Sequence, residues 1–333
     1  MSEAVLEVRD VTRHYQKRRP GRPWQKDVVR AVDGIDLTLY RGEALGVVGE
    51  SGCGKSTLAK LLVALEKPTS GEIRYRGKDI NAVRGADWNT MRRNIQLLFQ
   101  DPYASLDPRK TVANIVGEPF RIHRDLVPKH RIRDRVRELL DMVGLDPDHL
   151  DRYPHEFSGG QRQRIGIARG IALNPEILVC DEPVSALDVS VRAQVINLLT
   201  ELRRELGLTI VFIAHDLDVV RHFSDRVITM YLGRIVEEGP CDAVYDRPSH
   251  PYTRALLSAA PRPDFDRPAV GRILLEGDPP SPINPPSGCS FHTRCWMARP
   301  ECAQQVPPPF DLGDGHTARC LFADEVATAN PHR

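Results

Sequence analysis

Polar and apolar positions alternate with a period of two near the start of the chain. Val5-Leu6-Glu7-Val8-Arg9-Asp10-Val11 predicts a half-exposed strand leading into Thr12-Arg13-His14-Tyr15. Residues 16–26 break that rhythm with five Lys or Arg among Pro and Gly. They read as a basic loop, either solvated or in contact with lipid headgroups or a partner. Alternation resumes over 28–39. Residues 43–48 then form a short apolar run that predicts a buried strand, and Leu58, Leu61, Leu62 and Leu65 lie on one stripe of a helix predicted over 55–65. Residues 71–80 predict strand, turn and edge, and Ile95-Gln96-Leu97-Leu98-Phe99 a further strand running into Gln100-Asp101-Pro102.

From residue 105 to about 151 the period becomes helical, with Val136, Leu139, Leu140 and Val143 on one buried face before a stop at Gly144. Ser158 is placed to cap a helix running to about residue 173. Ile177-Leu178-Val179-Cys180 is a continuous apolar run ending in Asp181-Glu182-Pro183, the pattern of a central parallel strand. A helix over 190–206 precedes a second such strand, 209–214, ending at His215-Asp216. Two βα units with chemistry-bearing residues at the strand ends fit ligand binding at the edge of an open α/β sheet. Beyond Tyr245 the chain turns Pro-rich and weakly periodic, which sets a domain boundary between residues 240 and 260.

Between the strand at 43–48 and its helix lies Gly49-Glu50-Ser51-Gly52-Cys53-Gly54-Lys55-Ser56-Thr57, a complete G-x-x-x-x-G-K-[ST] phosphate-binding loop in the context that the motif requires. Its glycines let backbone N–H groups turn toward phosphates at the positive end of a helix. Lys55 reaches the β- and γ-phosphates, and the Ser56 hydroxyl ligates Mg²⁺. Asp181, at a strand end, suits outer coordination of Mg²⁺, and Glu182 suits polarisation of a water for in-line attack on the γ-phosphate. Tyr15 is either an ordinary strand aromatic or a platform for a purine ring.

Composition narrows the setting. The chain has 333 residues, with Lys+Arg 46 against Asp+Glu 45, so a formal charge of +1 gives no global attraction to nucleic acid. No run approaches the about 18 apolar residues of a membrane span, and the start lacks the pattern of a signal peptide. The expected setting is cytoplasmic, with membrane contact through partners. Four of the seven cysteines fall in the last 45 residues, which points to metal or reduced thiols rather than a secreted disulfide scaffold.

With Ser158-Gly159-Gly160-Gln161 added to the phosphate loop and Asp181-Glu182, residues 5–240 resemble the ATP-binding subunit of an ABC transporter. The resemblance implies an α/β P-loop fold with a nucleotide-binding domain over 1–245, holding a helical subdomain at about 101–172. It implies that Tyr15 stacks on adenine and that Gly49, Ser51, Gly52, Cys53, Gly54, Lys55, Ser56 and Thr57 bind ATP. Gln100 becomes the switch glutamine, sensing Mg²⁺ and the attacking water. Ser158, Gly159, Gly160 and Gln161 contact the γ-phosphate bound by the opposite subunit. The Ser185-Ala186-Leu187-Asp188 stretch crosses between subunits, and His215 is the switch histidine. Phe157 replaces the commoner Leu of the signature, but both are apolar. With Glu182 and the signature intact, active hydrolysis is expected. A soluble ABC protein acting on ribosomes or DNA would carry paired cassettes or a long coiled-coil insertion, and an exporter fused membrane spans; neither pattern occurs here.

His250-Pro251-Tyr252-Thr253, Leu256-Leu257, the later Pro-rich Cys segment and Asp101-Pro102-Tyr103-Ala104-Ser105-Leu106-Asp107-Pro108-Arg109 resemble the oligopeptide/dipeptide importer branch, whose nickel-importing relatives share much of the pattern. That implies a second ATPase subunit, commonly a different one, two transmembrane permease subunits and an extracytoplasmic substrate-binding protein, with the chain peripheral on the cytoplasmic face of the membrane. Residues 246–333 are the C-terminal extension. Its Cys289, Cys295, Cys302 and Cys320 are separated by five, six and seventeen residues. The first gaps are wider than the two to four usual for structural zinc. The resemblance implies a 4Fe-4S cluster there, with zinc or unligated thiols as alternatives. Cys53, Cys180 and Cys241 read as small packing residues.

Overall fold

The computed structural model describes residues 3–19, 22–99, 105–259 and 273–329. Gln100, expected as the switch residue, and Asp101–Ala104 after it lie outside the described residues. Two compact units form. One comprises Met1–Glu3, Tyr40–Glu43 and Ala82–Ile213, the other Ala4–Leu39, Ala44–Asn81 and Ala214–Arg333.

The second unit holds the phosphate loop. Strand β1 (Ala4–Arg19) lies between β2 (Arg22–Tyr40) and β4 (Ser70–Tyr75), with β5 (Lys78–Asp79) at the edge. Antiparallel pairing sets Leu6 opposite Tyr75 and Val8 opposite Ile73, so the alternation read from the sequence buries Leu6, Val8 and Ile73. Of the basic stretch expected as a loop, the described residues 16–19 and 22–26 are instead strand, because β1 and β2 lie side by side. Lys26 Nζ donates to Gln16 Oε1 at 2.9 Å and Arg19 pairs with Asp27 at 3.5 Å. Strand β3 (Ala44–Val48), buried at all five positions, pairs in parallel with β9 (Arg226–Tyr231), and β9 pairs antiparallel with β10 (Arg234–Pro240).

Helix α1 (Lys55–Leu62) leaves β3 through the loop and stops earlier than the predicted residue 65. Ala64 turns to φ +54, and Ala64 N–H and Leu65 N–H donate back to Leu61 O and Lys60 O at 3.0 and 2.9 Å. That closure satisfies the last carbonyls and turns Leu65 out to 46 % exposure.

The first unit carries three parallel strands, β6 (Ile95–Leu98), β7 (Ile177–Asp181) and β8 (Thr209–Ile213), with Leu98 opposite Cys180 and Asp181 opposite Ile213. Before β6 runs α2 (Gly85–Asn94), which the apolar pattern does not reveal because Met91 is its only buried residue. Short helices α3 (Val112–Val116) and α4 (Glu118–Ile122) precede α5 (Ile132–Met142). There Val136, Leu139, Leu140 and Val143 are buried as the pattern predicted, and each buried Leu or Val contributes roughly 1.5–3 kcal/mol of transfer free energy. Gly144, at φ +68, closes that helix. Helices α6 (Gly159–Ile171) and α7 (Val189–Leu206) flank β7 in sequence.

The C-terminal residues are woven into the phosphate-loop unit. After α8 (Leu217–Phe223), β9 and β10 come α9 (Cys241–Asp246) and α10 (Pro251–Ala259). Farther on, β12 (Thr317–Ala318) pairs with β10 and with β11 (Phe310–Asp311). Glu237 on β10 is 1 % exposed, yet it is satisfied. It accepts from Ser249 N–H at 2.6 Å and His250 N–H at 3.0 Å, and lies 2.9 Å from His316 Nε2.

Candidate functional site

The phosphate loop needs its glycines for space as well as for conformation. A Cβ on Gly49, at φ +152, would stand 2.3 Å from Met230 O, and one on Gly54, at φ +111, would stand 2.1 Å from Ala31 O. Gly52, at φ +80, meets nothing but needs the left-handed backbone. Gly54 is the N-cap of α1 and supplies no side-chain cap. Lys55 is 5 % exposed, and its Nζ donates to Gly49 O at 2.7 Å and Glu50 O at 3.0 Å. A buried ammonium curled inside a ring of backbone, at a helix start with no acidic residue in its first turn, is a fit for a polyphosphate. Cys53 is buried, and its thiol is pushed up by that burial, so it is a packing residue within the loop.

In the same unit, Ala214 N–H donates to Val47 O at 3.2 Å, setting His215, which is exposed, beside the strand that enters the loop. Tyr15 is half-buried on β1. Its hydroxyl donates to Glu66, and the Arg13 guanidinium lies 4.5 Å from the ring centroid.

The other unit holds the acidic pair and the signature. Asp181 ends β7 at 9 % exposure. Glu182 follows at φ +47, a left-handed conformation uncommon for a residue with a side chain. Its N–H donates to Ile213 O at 3.0 Å, and its carbonyl accepts from Ser185 Oγ at 3.1 Å. Asp188, exposed, is the N-cap position of α7. Ser158 caps α6 as the sequence predicted. Its Oγ accepts from Gln161 N–H at 3.3 Å, and Gln161 Oε1 accepts from Ser158 N–H at 3.0 Å, a reciprocal capping box. Gly160 cannot carry a side chain without meeting Val191 Cγ1 at 2.3 Å, so it sets the spacing of α6 on α7.

The tail cysteines correct an expectation. Cys289, Cys295, Cys302 and Cys320 do line one cavity, together with His250, Phe291 and His292, but it measures only about 10 Å³, room for at most about one water. Among the described residues no three His, Cys, Asp or Glu side chains converge on a point that could hold a metal ion. Cys289 and Cys295 pack against the Tyr231–Tyr252–Phe291 cluster instead. Burial pushes the Cys289 thiol up, Cys295 to about 12 and Cys320 to about 11. The 4Fe-4S cluster and zinc are therefore unsupported, and all seven cysteines are free.

Sequence reasoning missed two residues that touch the loop, Tyr252 and Arg294. Tyr252 Oη accepts from Glu50 N–H at 2.8 Å, and Arg294 pairs with the Glu50 carboxylate through both nitrogens at 2.8 and 3.1 Å. No spacing rule links positions 244 residues apart.

A strand, an anion cradle with a buried lysine and a helix, together with a strand ending in paired carboxylates, define a P-loop ATPase. Comparison with known proteins narrows the class. The family model described as "ABC transporter" matches residues 32–185, and that described as "Oligopeptide/dipeptide transporter, C-terminal region" matches residues 236–302. The oligopeptide transport ATP-binding protein OppF of Salmonella typhimurium is 52% identical over 97% of this chain and 98% of its own length. The dipeptide transport ATP-binding protein DppF of Escherichia coli is 48% identical over 100% of this chain and 98% of its own. Among solved structures, the dimeric ATP-binding cassette MJ0796 in a post-hydrolysis state with ADP and Pi is 31% identical. It covers 71% of this chain and 98% of its own at a TM-score of 0.63. The chain belongs to the ABC transporter family, among the ATP-binding subunits with an oligopeptide/dipeptide-transporter C-terminal region. It is an ATPase that binds ATP and Mg²⁺.

Proposed function

We propose that this chain powers the import of oligopeptides or dipeptides, as one of two different ATPase subunits on the cytoplasmic face of a membrane. Its partners are two permease subunits and an extracytoplasmic binding protein. The observation that carries the ATPase part is the phosphate loop, with Lys55 buried against Gly49 and Glu50 carbonyls and glycines where a Cβ would strike backbone. The peptide part rests on near full-length similarity to transport subunits named for oligopeptides and dipeptides. Among the described residues no helix is long and apolar enough to cross a membrane, in keeping with a subunit that docks on separate permeases.

The roles of the phosphate loop, Asp181 and Glu182 follow from their chemistry, and those of the other residues from the family resemblance. Gly49, Ser51, Gly52, Cys53, Gly54, Lys55, Ser56 and Thr57 bind the phosphates, and Tyr15 serves the adenine. Ser56 and Asp181, with Gln100, hold Mg²⁺, which when bound supplies positive charge that offsets charge on the transferring phosphoryl group. Glu182 accepts a proton from the attacking water, and His215 steadies the γ-phosphate. Ser158, Gly159, Gly160, Gln161 and Asp188 complete the site of the second subunit, so pairing is part of the hydrolytic step. Opening and closing of that pair drives the permeases.

Glu182→Gln tests the reading. Uptake of labelled di- and oligopeptides should be lost while nickel uptake is unchanged, and the variant should accumulate with its second subunit as an ATP-bound dimer. Peptide uptake at wild-type level would refute the assignment, and a dimer of this chain with itself alone would refute the mixed pair.

A further inference from the structure

Glu50 brings a carboxylate into a glycine-rich loop whose buried lysine suits anions, and a negative side chain there opposes a triphosphate. Arg294 meets it. Nη1 donates to Glu50 Oε2 at 2.8 Å and Nη2 to Oε1 at 3.1 Å, and the arginine side chain is only 6 % exposed. A bidentate guanidinium–carboxylate pair is the strong geometry for two such groups. Glu50 is also tied through its backbone, since its N–H donates to Tyr252 Oη and its carbonyl accepts from Lys55 Nζ.

The holder of Glu50 is itself rigid. Arg294 ends a short turn, His292–Arg294, that follows Phe291. The Phe291 ring centroid lies 5.1 Å from that of Tyr231 and 5.3 Å from that of Tyr252, and the two tyrosine centroids lie 4.7 Å apart. Phe291 is 1 % and Tyr252 0 % exposed. Arg294 is thus presented by a closed aromatic cluster, and the C-terminal region reaches the phosphate loop through a charge and a hydroxyl.

We propose that Arg294 is a positioning residue for nucleotide binding. It engages the Glu50 carboxylate so that this charge does not oppose the phosphates, and the C-terminal region thereby sets the affinity of the loop for ATP. The inference rests on the reading of the loop as the ATP site.

The test uses the full-length chain with Mg²⁺ and measures affinity for ATP, ADP and adenosine, with KM and kcat for hydrolysis in the assembled transporter. Arg294→Met should weaken ATP and ADP by roughly tenfold and leave adenosine, which has no phosphate, unchanged. KM should rise while kcat stays within about threefold. Arg294→Lys, which keeps the charge but not the fork, should fall between. Glu50→Gln in the Arg294→Met background should restore ATP binding to within about threefold of wild type, an outcome that lost packing alone does not produce. If Arg294→Met does not fold, Glu50→Gln alone decides, since it should bind ATP at least as tightly as wild type. Unchanged ATP affinity in Arg294→Met, equal losses for adenosine, a double variant as weak as the single, or a Glu50→Gln protein weakened tenfold would each overturn the inference. A wild-type chain that binds no ATP would overturn the ATPase reading as well.

Discussion

The helix starts at the phosphate loop and at the Ser158 motif, α1 and α6, are built in opposite ways. Helix α1 begins at Gly54 with no side-chain cap, whereas α6 begins at Ser158 with a reciprocal Ser158–Gln161 cap. Neither has an acidic residue in its first turn, so both ends stay attractive to anions. The signature completes itself from residues three apart. The phosphate loop has no such local cap and leans on distant groups, namely Ala31 and Met230 backbone packed against its glycines and Tyr252 and Arg294 on Glu50. The loop thus gets its shape from elsewhere in the chain, whereas the start of α6 is fixed by its own residues.

Substitutions sharpen that contrast. Lys55→Ala should have the largest effect, lowering hydrolysis by about 10²–10³-fold through loss of phosphate charge stabilisation, read by phosphate release at saturating ATP. Gly54→Ala should follow, since the strained φ alone costs about 1–3 kcal/mol and the Cβ meets Ala31 O. Denaturant unfolding with and without ATP would show it, and wild-type stability would mean that the loop is less dependent on its surroundings than the packing implies. Ser158→Ala should cost only about 1 kcal/mol of stability, the worth of a cap, with ATP affinity at the loop unchanged.

The smallest effect concerns the support of the loop in acid. Burial lowers His250 to about 3, and its neutral Nδ1 accepts from Tyr252 N–H at 3.1 Å. In the unfolded chain His titrates at about 6.5, so between these values the unfolded state binds a proton that the folded state refuses. The contribution is full above about 6.5 and falls as pH drops toward 3. Thermal melts at pH 7.5 and 5 should therefore diverge more for wild type than for His250→Gln, and equal slopes would remove His250 from the account.

Local rules made most of the fold legible. Strand β7 and its carboxylates, the burial of Val136, Leu139, Leu140 and Val143, the Ser158 cap and the Gly144 stop all rest on residues within a few positions of each other. Three features did not yield to that reading. The basic ends of β1 and β2 escaped because cross-strand partners, not hydrophobic rhythm, hold them. Helix α2 escaped because it buries only Met91, and the end of α1 because Ala64 takes a conformation usually left to glycine. At the site, motif residues were legible, whereas Tyr252 and Arg294 were not, because contact at great sequence distance leaves no period to detect. The cysteines erred the other way, since their number suggested a ligation for which the described residues form no group.

The span between Glu50 and Arg294 also has a meaning for synthesis. Ribosomes add about 5–20 residues each second, so the arginine emerges roughly 12–50 s after the glutamate that it engages. Through that interval the nascent chain carries a phosphate loop whose acidic side chain is unmatched. On the role proposed for Arg294, the chain gains its full affinity for ATP only after synthesis has passed that residue.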